Sequence, residues 1–230
     1  MNELDAAQSP PPVRPLEYAP PPPTQPRRAP DWILLLLSAV STTVALTLTA
    51  LGKASVLEAV SFITGAICVW LTVRESVWNF PIGLLNVATF AVVFFRARLF
   101  ADASLQLVYV VLTLIGWYWW LYGGQRQTAL RVSRVGRIEA LLTGLACIVM
   151  TFVFWRLVSF AGGISPFWDA LTTALSLCAQ WLLNRKRLEN WFFWIAADLI
   201  YIPLCAFKGL YLSSILYMTC LAMCIIGIRQ

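Results

Sequence analysis

The stretch from Glu189 to Pro203, ENWFFWIAADLIYIP, combines residues that bind flat organic molecules with residues typical of a membrane helix. At about 100° per residue, the period of an α-helix, Trp191, Trp194, Asp198 and Tyr201 share one face within an arc of roughly 80°. A carboxylate in the middle of a membrane helix costs at least ~2.5–3.5 kcal/mol, so it normally faces a protein interior or a watery cavity. Because indole rings stack on flat rings and attract cations, the face predicts a binding site for a flat, partly charged solute.

A structural interpretation of the same face is open as well. Tryptophans are common in the aromatic belt at a membrane surface, and Asp198 would then only bond helices together. Asp198 follows Trp191 by seven residues, which is about 10 Å along a helix, so a belt at one depth explains Trp191 better than the whole face. The sequence favours the solute site.

Polar residues also line one face of the third, fourth and sixth apolar segments. The candidate site residues there are Asn79, Asn86, Gln106, Thr173 and Gln180. For a single Thr or Ser the favoured interpretation is a hydrogen bond between helices, which is worth ~0.6 kcal/mol on average. Asn86, Gln106 and Asp198 taken together favour a lined cavity, because amides at depth in both halves would otherwise need dedicated partners.

The composition defines a protein class. Of the 230 residues, 60% are hydrophobic and 12% charged, with a mean hydropathy of +0.74, which is typical of a polytopic membrane protein. The chain has no histidine, so it lacks the commonest metal ligand and the usual general base. The six cysteines lie in apolar segments and are interpreted as packing residues. We expect no metal, no cofactor and no enzyme activity.

Eight apolar segments, each near the ~20 residues that cross a ~30 Å hydrocarbon core, predict an all-α integral membrane protein with eight transmembrane helices. The segments are 32–51, 57–73, 79–95, 102–122, 138–158, 167–183, 190–207 and 211–228. Residues 1–30 hold ten of the thirteen prolines and are expected to form a disordered tail.

The distribution of positive charge predicts the orientation. Of the 17 Lys and Arg residues, 12 fall on the side of the tail, Arg74, the 126–137 loop, the 185–187 cluster and Arg229. Cytoplasmic loops carry the excess of Lys and Arg, so both termini are predicted to be cytoplasmic. The net charge of +6 lies in these loops and therefore does not indicate a nucleic-acid partner.

The chain contains an internal repeat. Sliding residues 58–86 onto 169–198 by 111 or 112 positions superposes Trp70 on Trp181 and Arg74 on Arg185. We predict repeats at 57–122 and 167–228 joined by a linker helix at 138–158, preceded by an extra N-terminal helix within 31–56. Equivalent helices differ by four in chain order, which is an even number, so the repeats are parallel about an axis along the membrane normal. Transporters of this kind bind solute between repeats.

Four passages resemble the PnuC family of vitamin transporters and together cover about residues 57–228. They are WNFPIGLLN (78–86), RLFADASLQLVYVVLTLIGWYWW (98–120), DALTTALSLCAQWLLNRKRLENWFFWIAADLIYIP (169–203) and KGLYLSSILY (208–217). The WxxWxxxD pattern at Trp191, Trp194 and Asp198 is similar to the family's substrate-binding signature, in which Asn or Asp occupies the last position.

The resemblance implies a function and a fold. The fold would be a three-plus-one-plus-three bundle similar to the SWEET sugar carriers, in the inner membrane of a bacterium. The function would be facilitated diffusion of nicotinamide riboside, followed by trapping by a cytoplasmic kinase for NAD biosynthesis. Thiamine and riboflavin are alternative substrates.

Two other classes of function stay open at this stage. An integral-membrane enzyme would need Asp198 paired with Asp102 or Asp169, and an adaptor would use the proline-rich tail to bind an aromatic groove. The expected partners are a small vitamin and the lipid membrane. The sequence specifies no oligomeric state and is compatible with a homo-oligomer.

Overall fold

Eight α-helices make up the described part of the chain, as the sequence predicted, and each predicted end is right to within two residues. The computed structural model describes residues 31–52, 55–96, 100–124, 128–162, 165–207 and 211–228, and the predicted tail of residues 1–30 lies outside them. The helices are α1 Asp31–Ala50, α2 Val56–Val73, α3 Asn79–Arg96, α4 Phe100–Tyr122, α5 Arg137–Phe160, α6 Pro166–Asn184, α7 Asn190–Phe207 and α8 Tyr211–Ile228.

Proline and glycine define several helix ends. Pro166 opens α6, where its missing N–H costs no helical hydrogen bond. Gly52 and Gly162 follow α1 and α5 with φ of 68° and 76°, the left-handed conformation that glycine adopts without strain. These residues fix where the apolar helices stop and the short connections begin.

The apolar surface of the bundle fits a lipid environment. By length and composition, α4 (from Leu105), α5 and α7 can each cross a membrane, and shorter apolar stretches occur in α1, α2, α3 and α8. On α5, Leu141 and Ile148 are 72% and 69% exposed, as expected of side chains that meet lipid tails. The crossing of the membrane by all eight helices stays a prediction.

Six of the helices form a closed ring. The triplet α2–α3–α4 is linked by contacts between successive helices, and so is the triplet α6–α7–α8. The ring closes where α4 packs on α6 and where α8 packs on α2. Outside the ring, α1 lies against α2 and α8, whereas α5 lies against α6. The interior of the ring is therefore lined by both triplets.

Matching contacts recur 111 residues apart in the two triplets. In the first, a Cβ on Gly116 of α4 would lie 2.8 Å from the Phe80 ring of α3. In the second, a Cβ on Gly227 of α8 would lie 2.7 Å from the Trp191 ring of α7. In each triplet an aromatic ring in the first turn of the middle helix thus packs on a glycine near the end of the third helix.

Candidate functional site

Asp198 is the buried carboxylate at the middle of α7. Its exposed fraction is 3%, and its hydrogen-bonding partner in the described part of the chain is the Cys224 thiol of α8, with 3.9 Å between Sγ and Oδ2. None of the ion pairs found among the described residues includes it. A thiol is a weak donor, so most of the hydrogen-bonding capacity of this carboxylate is not used by the fold.

Three tyrosines, here called the tyrosine cluster, meet beside this carboxylate. Tyr201 of α7 stacks on Tyr217 of α8 with ring centroids 4.5 Å apart and an interplanar angle of 9°. Tyr109 of α4 lies near Tyr201 and beside the Ser176 hydroxyl of α6. Tyr217 also lies near Asp198. The cluster joins helices from both triplets and gives the ring of helices an aromatic interior.

Hydroxyl and thiol groups surround the tyrosine cluster. Thr172 and Ser176 of α6 lie beside the Tyr201 phenol. Cys220 of α8 lies near Asp198 and near Cys68 of α2. The interior between the triplets thus offers aromatic faces, hydroxyls and one carboxylate, a set that suits a flat ring with a positive charge and polar substituents.

The two predicted tryptophans lie one or two turns from Asp198. Trp191 is 7% exposed and packs with Val73, Met223 and Cys224, so its ring is part of an apolar cluster between α2, α7 and α8. Trp194 is half-buried and packs against the same cluster. Cys224 touches both this cluster and Asp198. The face of α7 that carries the two tryptophans and Asp198 is therefore continuous. The stacking of either indole on a solute stays a prediction.

Asn86 joins α3 to α2. Its Nδ2 donates to the Ser61 carbonyl oxygen at 2.6 Å and to Thr64 Oγ1 at 3.0 Å. Both amide hydrogens are therefore used inside the first triplet, as in the interhelical bonding that the sequence favoured for single hydroxyls. Asn86 can offer a solute only its carbonyl oxygen.

Asn79 and Gln180 also bond to neighbouring residues. Asn79 is 3% exposed and donates to Thr72 Oγ1 at 3.1 Å, whereas its Oδ1 has no partner in the described part of the chain. Gln180 donates to Asn184 Oδ1 at 3.0 Å, and Asn184 in turn donates to the Leu112 carbonyl at 2.7 Å. Gln180 thus supports the seam between α4 and α6.

Gln106 and Thr173 are half-buried on α4 and α6. Within the described ranges no hydrogen bond links either of them to the tyrosine cluster. Asp198 and Tyr201 therefore lie in the interior, Trp191 and Trp194 lie beside it, and the three amides with described hydrogen bonds support the packing of helices. Gln106 and Thr173 belong to none of these groups by their described contacts.

Tyr109 and Tyr217 are site residues that the sequence-based choice omitted. Tyr217 shares a helical face with Cys220 and Cys224, at spacings of three and seven residues. The cysteines of this face are interpreted from the sequence as packing residues, and the phenol three residues before Cys220 is the signal that could have identified the face. Tyr109 lies on the same stripe of α4 as Gln106 but reaches the tyrosine cluster.

No group of three His, Cys, Asp or Glu side chains able to hold a metal ion occurs within the described ranges. What the interior holds is binding chemistry. A ring of apolar helices around aromatic and polar side chains from two triplets is the arrangement expected of a multi-pass membrane transporter of small solutes.

The comparisons with known proteins identify the family. A family model described as "Nicotinamide mononucleotide transporter" matches residues 55–230, and the chain belongs to this family, that of PnuC. Over 187 residues the chain is 28% identical to "Nicotinamide riboside transporter PnuC" of Escherichia coli strain K12, which covers 70% of this chain and 78% of that protein. These relatives are transporters, in agreement with the expectation that the chain is not an enzyme.

A second relative and a solved structure extend the comparison. Over 181 residues the chain is 27% identical to "Riboflavin/roseoflavin transporter RibM" of Streptomyces davaonensis, covering 75% of this chain and 83% of that protein. The structure entitled "Crystal structure of the Vitamin B3 transporter PnuC" superposes with a TM-score of 0.70 at 23% identity, covering 85% of this chain and 88% of that one. At this level of identity, the superposition shows that the two proteins share a fold.

Proposed function

We propose that this protein takes up nicotinamide riboside across the bacterial inner membrane by facilitated diffusion. The observation that carries the proposal is Asp198, a carboxylate 97% buried beside stacked tyrosines, with a thiol as its described partner. Nicotinamide riboside is a flat pyridinium cation with ribose hydroxyls. Its charge would pair with the carboxylate, and its ring would meet aromatic faces.

The binding site in this proposal lies between the two triplets. Tyr109 comes from the first triplet and Tyr201 and Tyr217 from the second, so a solute beside them would contact both. The triplets would be related by a pseudo-two-fold axis along the membrane normal, and their relative movement would open the site to either side in turn. The contacts repeated at Gly116 and Gly227 support this arrangement.

Both termini would face the cytoplasm, and a cytoplasmic kinase would trap the solute for NAD biosynthesis. The 128–136 loop and the 185–188 turn pair through their backbones, with Ser133 donating to Lys186 O and Leu188 donating to Ser133 O, both at 3.0 Å. These two basic segments therefore lie on the same side of the bundle. Their charge supports a cytoplasmic position.

Riboflavin is the second candidate, because the RibM relative aligns over 83% of its length. Riboflavin is also flat and carries hydroxyls, but its ring system is uncharged. A neutral ring gives a buried carboxylate no counter-charge, so Asp198 favours nicotinamide riboside. Thiamine is a cation, so it would also supply a counter-charge to Asp198.

A panel of vitamins on the purified full-length protein tests the proposal. We expect nicotinamide riboside to give the largest rise in melting temperature and to bind by calorimetry, with thiamine next and riboflavin last. Counterflow of labelled nicotinamide riboside in liposomes should persist when proton and sodium gradients are collapsed. Binding of riboflavin alone, or uptake that requires either gradient, would contradict the proposal.

A further inference from the structure

The turns that follow α2 and α6 meet across the bundle. Lys186 Nζ of the second turn lies 3.3 Å from Glu75 Oε2 of the first, and the two residues are 111 positions apart. They are therefore equivalent positions of the internal repeat. Both have left-handed backbones, with φ of 51° at Glu75 and 50° at Lys186, an uncommon conformation for residues other than glycine. The two turns thus share one backbone shape at one point of each triplet.

Contact between equivalent positions locates the pseudo-two-fold axis. In a two-fold arrangement a residue can touch its own equivalent only beside the axis, because elsewhere the operation carries the two apart. The Glu75–Lys186 pair therefore marks where the axis leaves the bundle on the side of the basic loops. A pathway between the triplets follows the same axis, so this pair lies across its mouth.

Lys186 makes a second contact with the first triplet. Its Nζ lies 4.3 Å from the centroid of the Trp120 ring at the end of α4. Trp120 is 2% exposed and donates from Nε1 to the Leu183 carbonyl of α6 at 3.1 Å, so the ring is fixed in place. The Lys186 side chain is 11% exposed and that of Glu75 is 55% exposed. One partly buried lysine therefore joins the second triplet to two elements of the first.

The neighbouring Arg187 bonds elsewhere. Its guanidinium pairs with Glu139 of α5 at 2.8 Å and donates to Ser133 Oγ at 2.7 Å. Both partners belong to the linker segment and not to the first triplet. Arg187 has the same charge, lies one residue away and does not bridge the triplets through these bonds, which makes it a matched control for Lys186.

We propose that Lys186, together with Glu75 and Trp120, is a latch that holds the pathway closed on the side predicted to be cytoplasmic. The latch must release for the solute to leave, because separation of the triplets at this end separates Lys186 from both partners. This inference rests on the proposed transport function and names positioning residues for it. None of the three residues contacts the tyrosine cluster in the described contacts.

A cross-link tests the latch directly. Glu75→Cys with Lys186→Cys, joined in proteoliposomes by a bifunctional methanethiosulfonate reagent that spans the two positions, should lose nicotinamide riboside counterflow, and a thiol reductant that cleaves the link should restore it. Each single variant should transport at the same rate before and after this treatment, which excludes effects of the native cysteines. A protein shown to be cross-linked that still transports at the parent rate would overturn the latch. Absence of uptake by the reduced parent would instead count against the proposed function.

Hydrogen exchange gives a readout that needs no solute. Lys186→Gln should speed amide hydrogen exchange by about 3- to 30-fold in peptides covering residues 72–80 of the first triplet. This is the effect expected from the loss of one ion pair and one cation–π contact together. Arg187→Gln should leave these peptides unchanged. The double variant Glu75→Lys with Lys186→Glu, in which the two charges swap places, should restore part of the protection from hydrogen exchange. It restores the ion pair but not the contact between Lys186 and Trp120. If Lys186→Gln does not change exchange at 72–80, the latch is refuted whatever the substrate.

Discussion

Replacing Asp198 by asparagine tests whether the buried carboxylate serves the solute or the fold. The side chain is 3% exposed and its described partner is a thiol at 3.9 Å, so the fold gains little from the charge and bears the cost of burying it. The variant should therefore melt at the same or a higher temperature. Binding should change in the opposite direction, because the positive ring of the solute would lose its counter-charge.

The expected loss of affinity follows from the burial of this site. A pair of opposite charges about 4 Å apart is worth ~4 kcal/mol at an effective dielectric constant of 20. The asparagine retains a polar side chain of nearly the same shape, so we expect a net loss of ~2–4 kcal/mol, or about 30- to 1,000-fold in dissociation constant. This exceeds the effect of losing one neutral hydrogen bond, ~0.5–1.5 kcal/mol.

The assay is calorimetry on detergent-solubilised protein with two ligands: nicotinamide riboside and its reduced form, in which the ring is uncharged. The parent should prefer the cation, and Asp198→Asn should bind both forms alike. Glu189→Gln is the control, since that acid accepts a bond from the Val135 N–H at 2.9 Å, outside the tyrosine cluster. If Asp198→Asn keeps the preference for the cation, the carboxylate is not its counter-charge, and Asp198 belongs to helix packing.

Three further predictions concern the indole, the helix seam and the topology. Trp194→Ala should weaken binding by about 5- to 150-fold if the ring stacks on the solute, a contact worth ~1–3 kcal/mol, and unchanged calorimetric affinity would make it a packing residue. Gly116→Ala should lower the melting temperature, because its Cβ would overlap Asn184 and Phe80 at a cost of ~1–3 kcal/mol, whereas Gly144→Ala, with open space around it, should not. Reporter fusions after residues 130 and 187 should both report cytoplasm, and a periplasmic signal at either position would contradict the proposed orientation.

The helices of this fold could be predicted from the sequence because hydropathy depends only on local composition. The predicted end of α7 at residue 207 and the predicted beginning of α3 at residue 79 both agree with the structure. Asp198 could also be singled out, since a carboxylate in an apolar helix is costly wherever the helix packs. Such signals do not require knowledge of which helices are neighbours.

The partners of the site residues could not be predicted in the same way. Asn86 looked like a cavity residue, but whether an amide faces a solute or the Ser61 carbonyl depends on how α2 and α3 are rotated, which helical periodicity does not set. Trp191 packs on Gly227 because α7 and α8 approach each other closely. The sequence around either residue does not predict this approach. Tyr217 was omitted for the related reason that its stacking partner, Tyr201, lies on another helix.

The opposite charges at Glu75 and Lys186 also bear on how the two halves of the chain find each other during folding. If two copies of the first half paired about the proposed axis, two glutamates would meet, and two copies of the second half would bring two lysines together. Like charges in contact disfavour both pairings, whereas the mixed pair is attractive. Divergence at this one position of the repeat therefore favours assembly of one first half with one second half. It would disfavour pairing of two first halves, or of two second halves, from chains that are inserted into the membrane side by side.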